Sequence, residues 1–209
     1  MNNFSPNMLK TYKTCPKKYY FKYIEKINMP QSVSPFEKGK KIHALANYFM
    51  QNIKIDRIET TLTPSEKETW LKLQQNEYFQ KECYKSEFPI FCKIKEYWIG
   101  GRIDGIVHDF DNYYILDYKT GSSPKNSIYD FQTMVYLLCI DKYLTKYDNL
   151  SFIYINLKDN KNDIIEFNSD LKQTYTKLIT DNCSIITKDK LYKKNCQSCK
   201  LCEYEKICK

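Results

Sequence analysis

Asp104, Asp117 and Lys119 are the residues in this sequence whose types and spacing best support chemistry. They lie in two stretches, Gly100-Gly101-Arg102-Ile103-Asp104-Gly105 and Ile115-Leu116-Asp117-Tyr118-Lys119-Thr120-Gly121, joined through Asp109-Phe110-Asp111-Asn112. Side chains alternate along a strand, so Asp117 and Lys119 share one face while Leu116 and Tyr118 take the other. A hairpin symmetric about its turn pairs Val107 with Tyr114 and Asp104 with Asp117. Like charges opposed across a sheet are destabilising by up to about 1 kcal/mol, so such a pair calls for a cation. Lys119 offsets one charge, and a divalent metal offsets more. Two facing carboxylates beside a lysine suit hydrolysis of a phosphodiester. Mg2+ prefers carboxylate oxygen and keeps waters, one of which it can acidify into a nucleophile. The ammonium can orient that water or stabilise charge building on the phosphate. Solvated charges on an ordinary surface hairpin are the competing reading.

These residues need elements to position them. Lysine- and tyrosine-rich helical pieces are expected at 6–14 and 17–27, interrupted at Cys15-Pro16, because proline disfavours helix in the residue before it. Residues 31–35 read as a loop. Ile42, Leu45, Ala46, Phe49 and Ile53 recur at helical spacing. Thr63-Pro64-Ser65-Glu66 is a capping box with proline at the first helical position, opening a helix to about residue 82. From 86 to 118 the pattern turns to strands. A helix is expected near 127–142, then strands at 150–157 and 163–167, and a helix at 170–187. This order gives an α/β fold, a mixed α+β sheet in one domain over 1–209.

Composition narrows the class. Hydrophobic residues make up 42% and charged residues 28%, values of an ordinary folded chain. No apolar run is long enough for a membrane span, and the start carries no apolar secretory core. The expectation is a soluble, intracellular (cytoplasmic) protein. The net charge is +8 and unevenly placed. Residues 1–41 carry nine lysines against Glu25 and Glu37, and residues 188–209 carry seven against Asp189, Glu203 and Glu205. Basic ends around a mildly acidic middle suit a polyanionic partner, most simply nucleic acid, and suit equally solvated lysines that keep the chain soluble. Tyr19, Tyr20, Phe21 and Tyr23 interleave with Lys17, Lys18 and Lys22, a mixture that can stack on single-stranded bases or pack inward.

Nine cysteines is an odd number, and without an export signal disulfides are not expected. Cys196, Cys199, Cys202 and Cys208 crowd the tail among polar residues, as metal ligands do. Four local thiolates can make a zinc knuckle. Alternatively, Cys199, Cys202 and Cys208 with a distant cysteine can hold an iron–sulfur cluster. Cys83, Cys92, Cys139 and Cys183 sit among apolar neighbours and read as core residues.

Gly101-Arg102-Ile103-Asp104 followed by Leu116-Asp117-Tyr118-Lys119-Thr120-Gly121 resembles the core of the PD-(D/E)XK nuclease superfamily, in its RecB-like branch. Gly39-Lys40-Lys41-Ile42-His43 is similar to the Gly-x-x-x-His element that precedes the strands in that branch. Gln132-Thr133-Met134-Val135-Tyr136 is similar to the Gln-x-x-x-Tyr helix that follows them. The resemblance implies a restriction-endonuclease-like core. It makes His43, Asp104 and Asp117 ligands of Mg2+ or Mn2+, with a further oxygen from the Tyr118 backbone. It makes Lys119 the catalytic lysine, with Gln132 and Tyr136 holding DNA or supporting the site. Glu87 lies where relatives often carry a strand glutamate, an accessory ligand. AddB nuclease domains and CRISPR-associated RecB-type exonucleases carry one early cysteine and a late Cys-x2-Cys-x5-Cys, which Cys15, Cys199, Cys202 and Cys208 match. By that likeness these four hold a 4Fe-4S cluster, with 1–30 and 188–209 forming the cluster-binding part. Cys196 has no assigned place. The implied function is a metal-dependent DNA exonuclease acting on single-stranded DNA or DNA ends. The alternative is a non-catalytic DNA-binding, cluster-holding subunit beside a helicase or integrase. Any coupling to ATP would come from such a partner.

Overall fold

The chain is described as a computed structural model covering residues 3–29 and 36–208; the loop expected at 31–35 lies outside the described residues. Among these, six strands form one mixed sheet. Strands β2 (Glu82–Ile94), β3 (Tyr97–Asp109) and β4 (Asn112–Lys119) make an antiparallel meander. Helix α6 (Phe131–Tyr143) crosses over to β5 (Asn149–Asn156), which runs parallel to β4, and β6 (Lys161–Glu166) returns antiparallel. A two-residue strand, β1 (Asn3–Phe4), adds to β3 in parallel at Trp98 and Ile99. The expected mixed α/β architecture is the one found. No helix among the described residues is long and apolar enough to cross a membrane.

Apolar alternation splits the core into two layers, one on each face of the sheet. Ile115, Phe152 and Tyr154 pack beneath α6 and α7 (Ser169–Lys188), joined by Leu9 of α1 (Pro6–Thr14). Leu116, Tyr118, Ile153 and Ile155 pack beneath α3 (Phe36–Met50) and α5 (Pro64–Gln74). The stripe Ile42, Leu45, Ala46 and Met50 seats α3 on this second face. The Thr63/Glu66 capping box forms as expected, and Lys41 Nζ, 3.2 Å from Glu66 Oε1, ties α3 to α5.

Several boundaries differ from the sequence expectation. The α3 helix stops at Met50 rather than running through Ile53. Asn52 takes a left-handed φ of 57° and the Ile53 amide returns to the Tyr48 carbonyl, a helix stop that asparagine tolerates. Helix α5 ends at Gln74, not near 82. The Asn76 side chain accepts from the amides of Tyr78 and Phe79, a local turn that competes with helix. The second N-terminal piece is a short helix α2 (Pro16–Tyr19) running into one π-helical turn, Tyr20–Ile24. Strand β2 starts four residues earlier than expected and includes a register shift between Cys83 and Lys85. A four-residue helix, α4 (Asp56–Glu59), precedes α5.

The N-terminal aromatics pack rather than stand free. Tyr19 is buried against Tyr12, Tyr23 and Tyr192, and Phe21 leans on Tyr204, so the first and last segments interlock. Lys17 Nζ covers the Tyr20 and Phe21 rings at 4.7 and 5.0 Å. Cys92, Cys139 and Cys183 are buried as core residues; Cys83 is only partly buried and packs against the α3 layer.

Candidate active site

The site grows from an interruption in the sheet. Strand β2 covers one edge of β3 along nearly its whole length. On the other edge, β1 covers Trp98 and Ile99, and β4 begins only at Gly105. Between them the edge at residues 100–104 meets no strand among those described. On this open edge the Tyr136 hydroxyl donates to the Arg102 carbonyl at 2.9 Å, and the Asp104 side chain reaches across to accept from the Tyr118 amide of β4 at 3.4 Å. A cleft of about 1060 Å³ opens here, lined by His43, Glu87, Asp104, Lys119, Gln132 and Tyr136 among others.

The expected hairpin register is present, with Val107 opposite Tyr114. The paired ladder closes at Gly105 and Leu116, one step before Asp104 and Asp117. Asp104 sits where β3 changes face. Ile99 and Ile103 pack on the α6 side, whereas Val107 packs on the α3 side, where Gly105 faces Tyr118 and Met50. The carboxylate at this twist therefore looks along the edge toward both layers.

Each flanking element brings one group to it. Gly39 brings α3 beside the end of β4, where a β-carbon would make only ordinary contact with Thr120 Oγ1 at 3.4 Å. One helical turn later, His43 Nδ1 lies 3.4 Å from Asp104 Oδ1 and its Nε2 lies 3.1 Å from the Tyr118 carbonyl oxygen. Burial pulls the imidazole pKa down, but the hydrogen bond and charge of Asp104 outweigh it and hold it above 6.5. From β4, Asp117 is buried at 4% exposure, and Lys119 Nζ stands 2.6 Å from its Oδ2. From α6, Gln132 Nε2 donates to Asp117 Oδ1 at 2.8 Å while its Oε1 accepts from Lys119 Nζ at 3.3 Å. Asp130 fixes that helix start by accepting from the Gln132 amide. Burial, reinforced by Asp104, raises the Asp117 pKa despite Lys119. Asp117 Oδ2 is buried and accepts no aligned hydrogen bond, so the lysine meets it as a bare ion pair.

The expected residues His43, Asp104, Tyr118, Lys119, Gln132 and Tyr136 therefore line one cleft, and Asp117 lies buried behind Lys119 and Gln132 without lining it. Ligand atoms of His43, Glu87 and Asp104 lie within 4.8 Å of one another, the only group of three histidine, cysteine or acidic side chains that close among the described residues. Such a set, carboxylate oxygens with one imidazole, is the chemistry of a hard divalent cation. The sequence reading passed over Arg102, whose Nε lies 2.9 Å from Glu87 Oε2. Its spacing of two from Asp104 on one strand was the available signal.

A second cavity, of about 260 Å³, lies where the chain's first and last segments meet. Cys15, Cys199, Cys202 and Cys208 all line it, together with Lys18 and Phe21. The Asn195 amide points at Cys15 Sγ, 3.3 Å away. Cys196 is exposed and does not line this cavity, although it neighbours Cys199.

A family model of the PD-(D/E)XK nuclease superfamily matches residues 3–209. The CRISPR-associated exonuclease Cas4 of Francisella tularensis subsp. novicida (strain U112) is 24% identical over 123 residues, or 58% of this chain. The matched region spans 61% of that relative's length. The crystal structure of a Eubacterium rectale protein, provisionally described as an exonuclease, superposes with a TM-score of 0.63 at 10% identity. That superposition takes in 100% of this chain and 90% of the other, a likeness of fold.

Proposed function

The chain belongs to the PD-(D/E)XK nuclease superfamily, and from that membership we propose that it is a Mg2+- or Mn2+-dependent deoxyribonuclease, an exonuclease acting on single-stranded DNA or DNA ends. The observation that carries this reading is the ion pair of Lys119 with the buried Asp117, beside Asp104 on the neighbouring strand. Asp104, Asp117, His43 and the Tyr118 carbonyl are the groups that would hold the cation. Their donor types fit a hard ion, and Asp117 Oδ2 is a buried carboxylate oxygen that faces the Lys119 ammonium at 2.6 Å. Bound there, the cation would supply an acidified water and neutralise charge on the phosphate.

The chain's own residues do the rest. Lys119 is held between Asp117 and Gln132, so its ammonium is oriented before substrate arrives and stabilises charge that grows on the phosphate oxygens. Gln132 braces both partners at once. Tyr136 anchors the open edge of β3, which keeps Asp104 in place. The Francisella relative is named as an exonuclease, which supports this reading.

The 4Fe-4S cluster is part of the same proposal, with Cys15, Cys199, Cys202 and Cys208 as its ligands. All four line the one cavity where the chain's first and last segments meet. The group would serve as a clasp, making 1–30 and 188–209 one cluster-binding part of a single 1–209 domain. The joined basic ends would track phosphates without reading sequence. A helicase or integrase would be a partner that delivers the DNA.

The test is digestion of matched linear and circular single-stranded DNA with Mn2+ and with chelator. Mn2+-dependent loss of the linear strand alone is expected. Cutting of the circle would overturn the exonuclease assignment, and intact DNA of both kinds would overturn the nuclease reading.

A further inference from the structure

Glu87, the expected accessory ligand, and Arg102, which has no role above, both line the cleft. Glu87 occupies the middle of β2, between the pairs Ser86↔Gly105 and Phe88↔Ile103, and so faces Asp104 across the ladder. Three neighbouring strands thus bring a carboxylate each to one row: Glu87, Asp104 and Asp117. At Glu87 the backbone turns to a φ of 45°, a left-handed conformation that is costly for a residue with a β-carbon and rare inside a strand. Burial raises its pKa and Asp104 adds to that, with Arg102 opposing. Its side chain is 27% exposed, whereas that of Arg102, 2.9 Å away, is 70% exposed. The guanidinium therefore holds a sheltered carboxylate from the solvent side, an arrangement of low intrinsic strength. Because Tyr136 grips the Arg102 carbonyl, that side chain can swing without disturbing β3.

We propose that Arg102 and a divalent cation compete for Glu87, and that the guanidinium so released binds a phosphate of the DNA strand in the cleft. The proposal rests on the nuclease reading above and adds Arg102 to it, coupled to Glu87. Glu87 already lies within 4.8 Å of the ligand atoms of His43 and Asp104, so a doubly charged ion there gains a further oxygen. Arginine's planar fork suits phosphate oxygens. Cation and strand each take one half of the same ion pair, so each binds better once the other is present, and by linkage the effect is reciprocal.

The test is a Mn2+ titration of the DNA-free protein, read by electron paramagnetic resonance of free Mn2+. It compares wild type with Arg102→Gln, Glu87→Gln, the double variant and Asp104→Asn. Thermal unfolding in chelator checks that each is folded. Arg102→Gln is expected to tighten Mn2+ binding about two- to fivefold, the range of an exposed ion pair. In the Glu87→Gln background it is expected to have no effect. Oligonucleotide binding in chelator supplies a second reading: Arg102→Gln weakens it, Arg102→Lys restores part, and Glu87→Gln tightens it only when Arg102 is present. Equal tightening of Mn2+ in both backgrounds would reduce Arg102 to a distant charge and overturn the proposal, as would no change at all. Wild type that binds no Mn2+, or Asp104→Asn that binds it normally, would overturn the nuclease reading itself and the proposal with it.

Discussion

Lys119 Nζ stands 2.6 Å from Asp117 Oδ2, two residues back on the same face of β4. The pair is asymmetric: Asp117 is almost wholly buried, and Lys119 keeps a quarter of its side chain in the cleft. One end of this contact is anchored in the sheet, and the other faces the space where substrate would lie. Gln132 Oε1 limits where the ammonium can turn.

Replacing Lys119 with methionine tests that orientation. Removing one preorganised stabilising group costs about 10²- to 10³-fold in turnover. Lys119→Met should lose that much nuclease activity while binding Mn2+ as well as wild type or better, because a competing positive charge has gone. Titration calorimetry beside single-turnover cleavage separates the two effects. Arginine should not rescue, since it cannot fit the narrow station between Asp117 and Gln132 as a point charge.

Asp117→Asn should separate function from stability. The raised pKa means that folding favours the protonated acid, even with Lys119 beside it. A group whose native pKa lies above its ordinary 3.8 stabilises the fold most below that pH, and the benefit is lost as pH rises through the raised value. In chelator at pH 7 the asparagine variant should therefore melt higher, by about 2–4 °C for each 1 kcal/mol relieved. The difference should vanish toward pH 3. Activity and Mn2+ binding should both be lost. Scanning calorimetry across pH checks the sign: a lower melting temperature at neutral pH would show that the ion pair outweighs the burial.

Gly101→Ala probes how α6 reaches the open edge of β3. A β-carbon there would come within 2.8 Å of the Tyr136 hydroxyl and 3.2 Å of its ring. The tyrosine must then leave the Arg102 carbonyl. Overpacking of this kind costs about 1–3 kcal/mol, and denaturant unfolding should show it together with a fall in activity. Adding Tyr136→Phe, which removes the clashing oxygen, should return part of the stability.

Much of this site could be read from residue order. Strand alternation put Asp117 with Lys119, hairpin symmetry set the register, and the i,i+4 spacing of Gln132 and Tyr136 put both on the face of α6 that meets the cleft. What stayed hidden depends on non-local geometry. Asp104 lies where β3 changes face, and strict alternation has no symbol for such a twist. Strand β1, only two residues long, pairs with a segment more than ninety positions away. The end of α5 was missed because Asn76 stops it through its own side chain, while the apolar pattern continues to Phe79. The Glu87–Arg102 pair joins two strands whose register is visible only once β2 is seen to start at Glu82.

Cys15→Ser tests the clasp between the chain's ends. Cys15 lies 7% exposed at the N-cap of α2 and lines the same cavity as Cys199, Cys202 and Cys208. Protein purified without oxygen should be brown, and the serine variant should lose the visible absorbance and melt lower, because closing so long a loop restrains the unfolded chain. Colourless wild type carrying zinc, with Cys15→Ser unchanged, would instead mark a local knuckle of the tail cysteines.

The measurement closest to the central claim is anomalous diffraction from crystals soaked in Mn2+. A cation shared by Asp104 and Asp117 should give a peak in contact with both carboxylates and within reach of His43 and the Tyr118 carbonyl, absent from Asp117→Asn crystals. A fully active enzyme whose manganese peak lies elsewhere, or persists unchanged in that variant, would contradict the account.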